Sequence, residues 1–458
     1  MPRASDRPAV ATYAVVCIPL FRGIPMLASA IISLVIFVLL ALSILFFPSL
    51  KIGRVKLGTY WIIALVGAVI LLAARLVSVG DVWSGLTADS EINPLKILVL
   101  FFSMTFLSVV LDEVGLFRYL AKKAVAVAKT NQLSLFLILY ALTAVLTVFT
   151  SNDIVILTLT PFICFFCKNT DIDPLPYLVG EFAAANTWSM MLVIGNPTNI
   201  YLATSAGIGF IPYLQVMALP TVAAGLVELG LILLLFHRRL KAPLTPKEDD
   251  FVIESKPDLI IGLVHLLVCL VFLVISGYIG VQMWLVSAIC AASLLVCLVV
   301  VRLITRRHWE YLGGAARRLP WQLIPFVLSM FVIVICLRAQ GISDLLGHAL
   351  GEKACLWTYG AASFAAANLI NNIPMSILFS TLPTGLSAEA FRQAIYATVV
   401  GSNIGAFLTP IGALAGIMFT GLTEQYGVDY RFKNFVRYGA VISIPTLAAA
   451  LGVLCLFV

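Results

Sequence analysis

The sequence predicts an all-α integral membrane protein with an inverted repeat, in which each half has five transmembrane helices and one re-entrant hairpin, with broken helices at the bilayer midplane. Three observations support this fold class. The chain has 458 residues, of which 61% are hydrophobic and 11% are charged. Its apolar runs are separated by loops whose charges alternate as the positive-inside rule requires. Both halves carry similar polar clusters within otherwise apolar segments.

The composition excludes several classes of function. A soluble domain of this size cannot bury so much apolar surface, and the mean hydropathy is +1.06. The net charge of +7 comes from basic residues in short loops, so it predicts membrane orientation and not nucleic-acid binding. The four His do not cluster and the nine Cys are mostly scattered through spans, so we expect no metal site and no disulfide framework. The sequence also lacks a phosphate-binding loop, and we expect neither ATP hydrolysis nor a cofactor.

The first half is assigned to residues 25–236, after an N-terminal segment, residues 1–24, for which an interfacial helix is one interpretation. Roughly 20 helical residues cross the hydrocarbon core. Five apolar runs are long enough, at about 26–48, 59–79, 94–111, 177–205 and 213–236. Residues 133–167 are too long for one span, and the sequence Thr150-Ser151-Asn152-Asp153 interrupts them. This pattern predicts a re-entrant hairpin that enters from the cytoplasm, with its tip at 150–153.

The second half, residues 259–458, repeats this plan after a cytoplasmic linker at 237–258. Its spans are predicted at about 259–276, 281–303, 321–338, 393–420 and 436–457, with a hairpin at about 354–382. The tip of this hairpin is Asn371-Asn372. An odd number of spans in each half gives the halves opposite topologies. Inverted repeats with interrupted helices are typical of secondary transporters.

Four polar clusters lie at the predicted depth of the membrane, two in each half. Polar, helix-breaking residues are tolerated there only where they are buried in protein or line a wet cavity. Helix ends at this depth expose N–H and C=O groups, and nearby amides and hydroxyls add donors and acceptors without fixed charge. Kinking and packing by single Gly, Pro or Ser residues is the alternative for any one cluster. Because four clusters occupy matched positions, we expect a binding site for a small polar solute.

The residues of this site are predicted from the clusters. The substrate-binding residues are Ser151, Asn152, Asn186, Asn196, Thr198, Asn199, Asn371, Asn372, Ser402, Asn403 and Thr409. The residues expected to break helices are Gly195, Pro197, Gly401, Gly405, Pro410 and Gly412. No catalytic or metal-ligating residue is predicted.

Ionisable residues in the spans suggest how transport is coupled. Asp153 lies at a hairpin tip, and a carboxylate at this depth is proton-linked or binds a cation. Glu181 lies five residues before Asn186 and is assigned to a proton path, whereas Glu228 is interpreted as pairing with another helix. Arg338 lies near a span end and is expected to snorkel. With no Lys or Arg at the depth of the site, the sequence favours a neutral polar solute over a multiply charged anion.

Three motifs resemble the ArsB family of arsenite/antimonite efflux permeases, within the ion transporter superfamily. Asn152-Asp153 with Thr160-Pro161 resembles the family's first Asn-Asp…Thr-Pro stretch. Asn371-Asn372-Ile373-Pro374 resembles its Asn-Asn-Met-Pro motif. The most specific match runs from Asn403-Ile404-Gly405 to Leu408-Thr409-Pro410-Ile411-Gly412-Ala413-Leu414-Ala415, and it resembles the family's closing motif. The resemblance covers residues 25–458.

The resemblance implies a multi-pass plasma-membrane antiporter that exports arsenite or antimonite, as the neutral hydroxide, in exchange for protons. It also admits a separate soluble pump ATPase as partner. Three departures concern the substrate and the coupling ion: Ala406-Phe407 replaces a Pro-Lys pair, Asn403 replaces an acid that some members have, and Gly195-Asn196-Pro197-Thr198-Asn199 is more polar than expected for the family. The alternative is a proton- or sodium-coupled carrier for another small solute or anion, of the dicarboxylate or citrate kind. A passive subunit of an ATP-driven pump, docking through residues 237–258, is a third hypothesis.

Overall fold

The computed structural model describes residues 11–47, 49–52, 55–87, 93–128, 131–243, 253, 255–305, 310–430 and 432–458. Within these residues, nine helices are long and apolar enough to cross a membrane. One short antiparallel pair of strands, β1 (Ser49–Ile52) and β2 (Val55–Gly58), pairs Lys51 with Lys56. The predicted helical membrane fold is confirmed. Residues 1–10 of the N-terminal segment, and 244–252 and 254 of the linker, lie outside the described residues.

The described residues of the first half form ten α-helices. They are α1 (Ala11–Phe46), α2 (Thr59–Ala73), α3 (Val79–Thr87), α4 (Pro94–Glu113), α5 (Leu116–Ala128), α6 (Gln132–Phe149), α7 (Asn152–Thr170), α8 (Leu175–Trp188), α9 (Pro197–Ser205) and α10 (Phe210–Phe236). The second predicted span, 59–79, is too long, since α2 ends at Ala73. Arg75 follows with a φ of 56°, a left-handed conformation that ends the helix. The described part of the N-terminal segment, 11–24, is continuous with α1.

In the second half, the part of the chain that the structure describes also forms ten α-helices. They are α11 (Lys256–Ile279), α12 (Met283–Thr305), α13 (Glu310–Arg318), α14 (Leu323–Ala339), α15 (Ile342–Leu350), α16 (Cys355–Ile370), α17 (Asn372–Phe379), α18 (Ala388–Gly405), α19 (Leu414–Gln425) and α20 (Phe432–Leu454). From α6 and from α16 onward, the two halves show the same order: an interrupted helix pair, a broken helix and a long closing helix. The inverted orientation of the halves in the bilayer stays a prediction.

The two predicted hairpins differ in length. The chain leaves the helix at Thr150 and Ser151, but α6 has 18 residues and α7 has 19, so each is long enough to span. The second pair is shorter, because α16 has 16 residues and α17 has only 8. Asn371 joins these two helices with a φ of 73° and a ψ of 152°, a strained combination for a residue with a side chain. Re-entry of either pair from one side of the membrane stays a prediction.

The interrupted and broken helices of each half pack against those of the other half. Helix α7 of the first half packs against α19 of the second, and α17 of the second packs against α9 of the first. Helix α18 contacts both α8 and α9, and α10 packs along α20. The polar breaks of both halves therefore lie in the interior of the molecule, between helices that are otherwise apolar.

Candidate functional site

Asn403 is the centre of a buried amide network that joins the two halves. Its side-chain oxygen accepts from Nδ2 of Asn196 at 2.9 Å, and its Nδ2 donates to Oδ1 of Asn199 at 2.6 Å and to the carbonyl of Val399 at 2.8 Å. The hydroxyl of Ser189 lies 2.9 Å from the same Asn403 oxygen. All four polar side chains are fully buried. The network fixes the break of the first half against α18.

The break between α8 and α9 is built by capping residues. Asn196 caps α9, since its Oδ1 accepts from the N–H and the hydroxyl of Thr198, both at 3.1 Å. Pro197 is the first helical residue, where a backbone donor is not needed. A Cβ at Gly195 would collide with the carbonyl oxygen of Ser189, so this close turn requires glycine. The predicted break at 195–199 therefore starts earlier, because the chain leaves α8 at Ser189.

The start of α7 connects to the same network. Asn152 donates its Nδ2 to Oδ1 of Asn186 at 3.2 Å, and Asn186 donates to the carbonyl of Phe182 at 2.8 Å. The hydroxyl of Ser189 lies 2.6 Å from the carbonyl oxygen of Asn186 and 2.9 Å from Oδ1 of Asn403. This hydroxyl has a single proton, which it can donate to one of these two oxygens at a time. Asn152, Asn186 and Asn403, which the sequence placed in separate clusters, are thus linked through Ser189. Ser189 is not among the site residues predicted from the sequence.

In the second half, amides satisfy the carbonyl groups of the break between α18 and α19. Asn371 donates to the carbonyl of Ile411 at 2.9 Å, and Asn368 donates to that of Gly405 at 2.9 Å. Thr409 donates its hydroxyl to Oδ1 of Asn368 at 2.7 Å. Asn368 was missed by the sequence analysis. The available signal was its position three residues before Asn371, on the same face of an otherwise apolar helix.

One of the predicted helix-breaking residues does not break a helix. Gly401 lies inside α18, whereas Gly405 is the last residue of that helix. A Cβ at Gly401 would collide with the Ser363 hydroxyl and the Gly360 carbonyl of α16, so this glycine permits close packing of the two helices. The break itself spans 406–413 and contains Pro410 and Gly412, as predicted.

Three of the predicted substrate-binding residues carry buried polar atoms without a hydrogen-bond partner among the described residues. These atoms are the hydroxyl of Ser151, Oδ1 of Asn372 and the hydroxyl of Ser402. Ser151 and Asn372 lie at the starts of α7 and α17, and Ser402 precedes Asn403. Buried polar groups normally have partners, and Ser151 and Asn372 occupy matched positions at the breaks of the two halves.

The carboxyl groups predicted for proton coupling occupy different surroundings. Glu181 is buried and accepts from the Thr160 hydroxyl at 3.2 and 3.1 Å, which ties α8 to α7. Asp153 is half-buried and lies in the first turn of α7. Glu228 contacts Tyr140 of α6 and Thr187 of α8, as its predicted pairing with another helix requires. None of the three forms an ion pair with a described cation. Within the described residues, no three His, Cys, Asp or Glu side chains could hold a metal ion.

Two cavities are lined by equivalent elements of the two halves. One, of about 460 Å³, is lined at the end of α4 by Asp112 and Glu113, and elsewhere by Thr158 of α7 and by Tyr426 after α19. The other, of about 660 Å³, is lined at the end of α14 by Arg338, after α17 by Ser380, and by Tyr201 of α9. Arg338, expected only to snorkel, therefore lines a cavity beside α9 and α17. A buried polar site between two helical halves, together with cavities lined by equivalent elements of those halves, defines a membrane transporter.

The sequence comparisons identify its family. Residues 59–401 match the profile of the citrate transporter family, CitMHS, and the chain belongs to that family. It is a transporter and not an enzyme, and a multi-pass protein of the plasma membrane.

The motif resemblance is also confirmed, because several relatives are arsenical pump membrane proteins. The chain is 29% identical to one from Escherichia coli over 430 residues, which cover 87% of this chain and 94% of that protein. It is 27% identical to one from Yersinia enterocolitica over 379 residues, 78% of this chain and 85% of that protein. An uncharacterized transporter of Mycobacterium tuberculosis is 25% identical over 405 residues, 84% of this chain and 91% of that protein.

Two solved structures have a similar fold. The YdaH transporter of Alcanivorax borkumensis superposes with a TM-score of 0.51 at 15% identity, covering 94% of this chain and 98% of YdaH. MtrF of Neisseria gonorrhoeae superposes with a TM-score of 0.50 at 14% identity, covering 95% of each chain. At these identities the comparison supports the fold alone.

Proposed function

We propose that the chain exports arsenite or antimonite across the plasma membrane in exchange for protons. The observation that carries this proposal is the chemistry of the Asn403 network, where the contacts of Ser189, Asn196, Asn199 and Asn403 involve only amides, hydroxyls and backbone carbonyls. Hydrogen bonds of this kind match a neutral trihydroxide, which both donates and accepts. The similarity to arsenical pump membrane proteins supports the same substrate class.

The unpaired atoms define where the solute binds in this proposal. The hydroxyls of Ser151 and Ser402 can each donate to, or accept from, an arsenite hydroxyl, and the side-chain oxygen of Asn372 can accept from one. A neutral solute costs far less to desolvate than an anion, so a site without a cation is sufficient. Asp153 and Glu181 are proposed to carry the exchanged protons, since ionisable residues at this depth mark proton relays.

Purified protein in liposomes tests this function. With an acidic lumen and neutral exterior, a proton exchanger accumulates external arsenite as protons leave. We expect arsenite uptake that stops when an ionophore removes the pH gradient. Gradient-dependent uptake of another solute, with none of arsenite, would contradict the substrate while leaving the transporter class intact.

Two observations favour a second candidate, a cation-coupled carrier of citrate or a similar anion. The chain belongs to a family described as citrate transporters, and Arg338 lines the cavity of about 660 Å³ beside Tyr201 and Ser380. The test measures uptake of labelled citrate into the same liposomes under an imposed sodium or proton gradient. For this candidate we expect citrate uptake that falls when Arg338 is changed to Gln.

A soluble pump ATPase as partner is also a proposal. The docking surface predicted for it, residues 237–258, is described only in part, and there Arg239 pairs with Asp173 at 2.6 Å. Transport in liposomes without nucleotide or any second protein would show that a partner is not required. Uptake that appears only with an added ATPase and ATP would support the pump-subunit hypothesis.

A further inference from the structure

Glu228 lies in the middle of α10 and is completely buried. Its Oε2 accepts from the Thr187 hydroxyl at the end of α8, and its Oε1 lies 3.0 Å from the Tyr140 hydroxyl on α6. The same Tyr140 oxygen is 2.8 Å from the carbonyl of Gly225 and 3.2 Å from the indole nitrogen of Trp188. One carboxyl group thus connects three helices through a closed set of hydrogen bonds.

The number of protons in this set depends on Glu228. The Gly225 carbonyl can only accept, and the Trp188 indole can only donate, so the single Tyr140 proton points to Gly225. The Tyr140 oxygen then accepts from Trp188 and needs a second donor to bond Glu228. A protonated Glu228 is that donor, and every short contact in the set is then a hydrogen bond. With an ionised Glu228, Tyr140 can satisfy either Gly225 or Glu228, but not both.

The neighbouring helices supply no charge that replaces this proton. Tyr140 is the titratable group that α6 brings to Glu228, while Glu181 of α8 faces Thr160 instead. Helices α11 and α20 also pack against α10. On α11, His265 bonds the Ile261 carbonyl and Ser293, and Asp258 pairs with Arg302 at 2.7 Å. No contact with Glu228 is described for the basic residues of α20, Lys433 and Arg437.

We propose that Glu228 is a proton-binding site of the transport cycle, in addition to Asp153 and Glu181. This inference rests on the proposed proton exchange. Release of the Oε1 proton leaves a carboxylate, toward which the Tyr140 proton turns, and the Gly225 carbonyl then loses its bond from Tyr140. A buried carboxylate without a paired cation is costly, so the surrounding helices must move or admit water.

The link to the solute site is short. Thr187 and Trp188 are the last residues of α8, directly between Asn186, which bonds Asn152, and Ser189, which contacts Asn403. Trp188 also fits against Gly225, where a Cβ would meet the indole ring at 2.5 Å. A change in the bonds at Thr187 and Trp188 therefore shifts the positions of Asn186 and Ser189. Glu228 acts on the solute site through these positioning residues and does not touch the solute.

Transport by the reconstituted full chain tests the coupling. Two rates are measured for wild type and for Glu228→Gln. One is solute uptake driven by an acidic lumen, and the other is tracer exchange without a pH gradient at equal solute concentrations on both sides. The first rate divided by the second gives the coupling ratio. We expect this ratio to fall about tenfold in Glu228→Gln, a typical coupling between two sites. Glu389→Gln, an exposed glutamate in the first turn of α18, is the matched control and should keep the wild-type ratio. An unchanged ratio in Glu228→Gln overturns the inference. Absence of arsenite transport in wild type contradicts the proposed function instead.

A second measurement does not depend on the solute or on active transport. The infrared spectrum of the reconstituted protein should contain the carbonyl band of a protonated carboxyl that Glu228→Gln lacks and that disappears as pH is raised. If Glu228→Gln does not fold, Tyr140→Phe keeps the ring, removes the acceptor of the Glu228 proton and should shift this band. An identical carboxyl region in wild type and variant at every pH shows an ionised Glu228 and overturns the proposal.

Discussion

Asn403 on α18 donates its side-chain amide to the side-chain oxygen of Asn199 on α9 at 2.6 Å, although the two residues are 204 positions apart. The opposite end of the same amide accepts from Asn196 at 2.9 Å. One buried side chain therefore holds the break of the first half against a helix of the second. Because a fully satisfied polar network specifies one arrangement of its helices, we expect α9 and α18 to move as one unit during transport.

Replacing Asn403 by Ala should abolish transport and destabilise the protein. The substitution leaves Asn196 Nδ2 and Asn199 Oδ1 buried without partners, and each such group costs about 1–3 kcal/mol. Thermal unfolding in detergent and liposome uptake measure the two effects. Asn434→Ala is the control, since Asn434 makes one exposed bond to the Asp429 carbonyl. Equal stability and uptake in the two variants would show that the Asn403 network contributes no more to folding and transport than one exposed hydrogen bond.

Replacing Ser402 by Ala should weaken solute binding without destabilising the protein. The Ser402 hydroxyl has no partner among the described residues, so its removal breaks no described bond of the fold. One hydrogen bond to the solute contributes about 0.5–1.5 kcal/mol, and we expect the half-saturating solute concentration to rise by roughly two- to tenfold. Ser376→Ala removes a hydroxyl that bonds the Ile373 carbonyl at 2.8 Å and should leave this concentration unchanged. The same half-saturating concentration in Ser402→Ala and wild type would show that Ser402 does not bind the solute.

The positions of the long helices could be predicted because hydrophobic runs and loop charges are local properties of the chain. Their ends could not be predicted equally well. Helix α2 stops at Ala73 because Arg75 adopts a left-handed φ of 56°, which the apolar run does not reveal. Gly401 looked like a helix breaker, but it lies inside α18, where it permits the close approach of α16. A glycine that permits packing and a glycine that ends a helix look alike in sequence.

The site could be predicted as a set of residues but not as a network. Clustered Asn, Ser and Thr in apolar segments are visible in the sequence, whereas Ser189 lies three residues after Asn186, and Asn368 three residues before Asn371, outside the runs that defined the clusters. The central place of Asn403 arises from partners more than 200 positions away, which only the packed helices bring together. Glu228 was interpreted correctly as pairing with other helices, but its proton count depends on Tyr140, Gly225 and Trp188 at once.

Asn371 provides a test of backbone strain at the start of α17. Its φ of 73° with a ψ of 152° suits glycine, and its amide holds the chain by donating to Ile411. Asn371→Gly and Asn371→Ala both lose this bond, but only alanine retains the strain. We therefore expect Asn371→Ala to be less stable than Asn371→Gly by about 1–3 kcal/mol in detergent unfolding. Equal unfolding temperatures would mean that the backbone relaxes there without cost.

Arg318 should stabilise the end of α4 far more than a surface ion pair does. It bonds Glu113 at 2.9 Å and also contacts Asp112, whose side chain is only 5% exposed, while Arg318 itself is 31% exposed. Removing one partner of a fully buried pair costs about 3–5 kcal/mol, and an exposed pair contributes less than about 1 kcal/mol. Because the Asp112 side chain is buried but Arg318 is partly solvated, we expect about 2 kcal/mol for Arg318→Ala.

Arg239→Ala is the matched control for Arg318→Ala, because Arg239 pairs with Asp173 at 2.6 Å with side chains 48% and 41% exposed. Both variants remove one guanidinium that pairs with an aspartate, so the difference in unfolding temperature reports the burial of Asp112. High salt should reduce the effect of Arg239→Ala and leave that of Arg318→Ala largely intact, since buried pairs are screened less. Equal shifts, equally reduced by salt, would show that water reaches Asp112 through the cavity of about 460 Å³ that it lines.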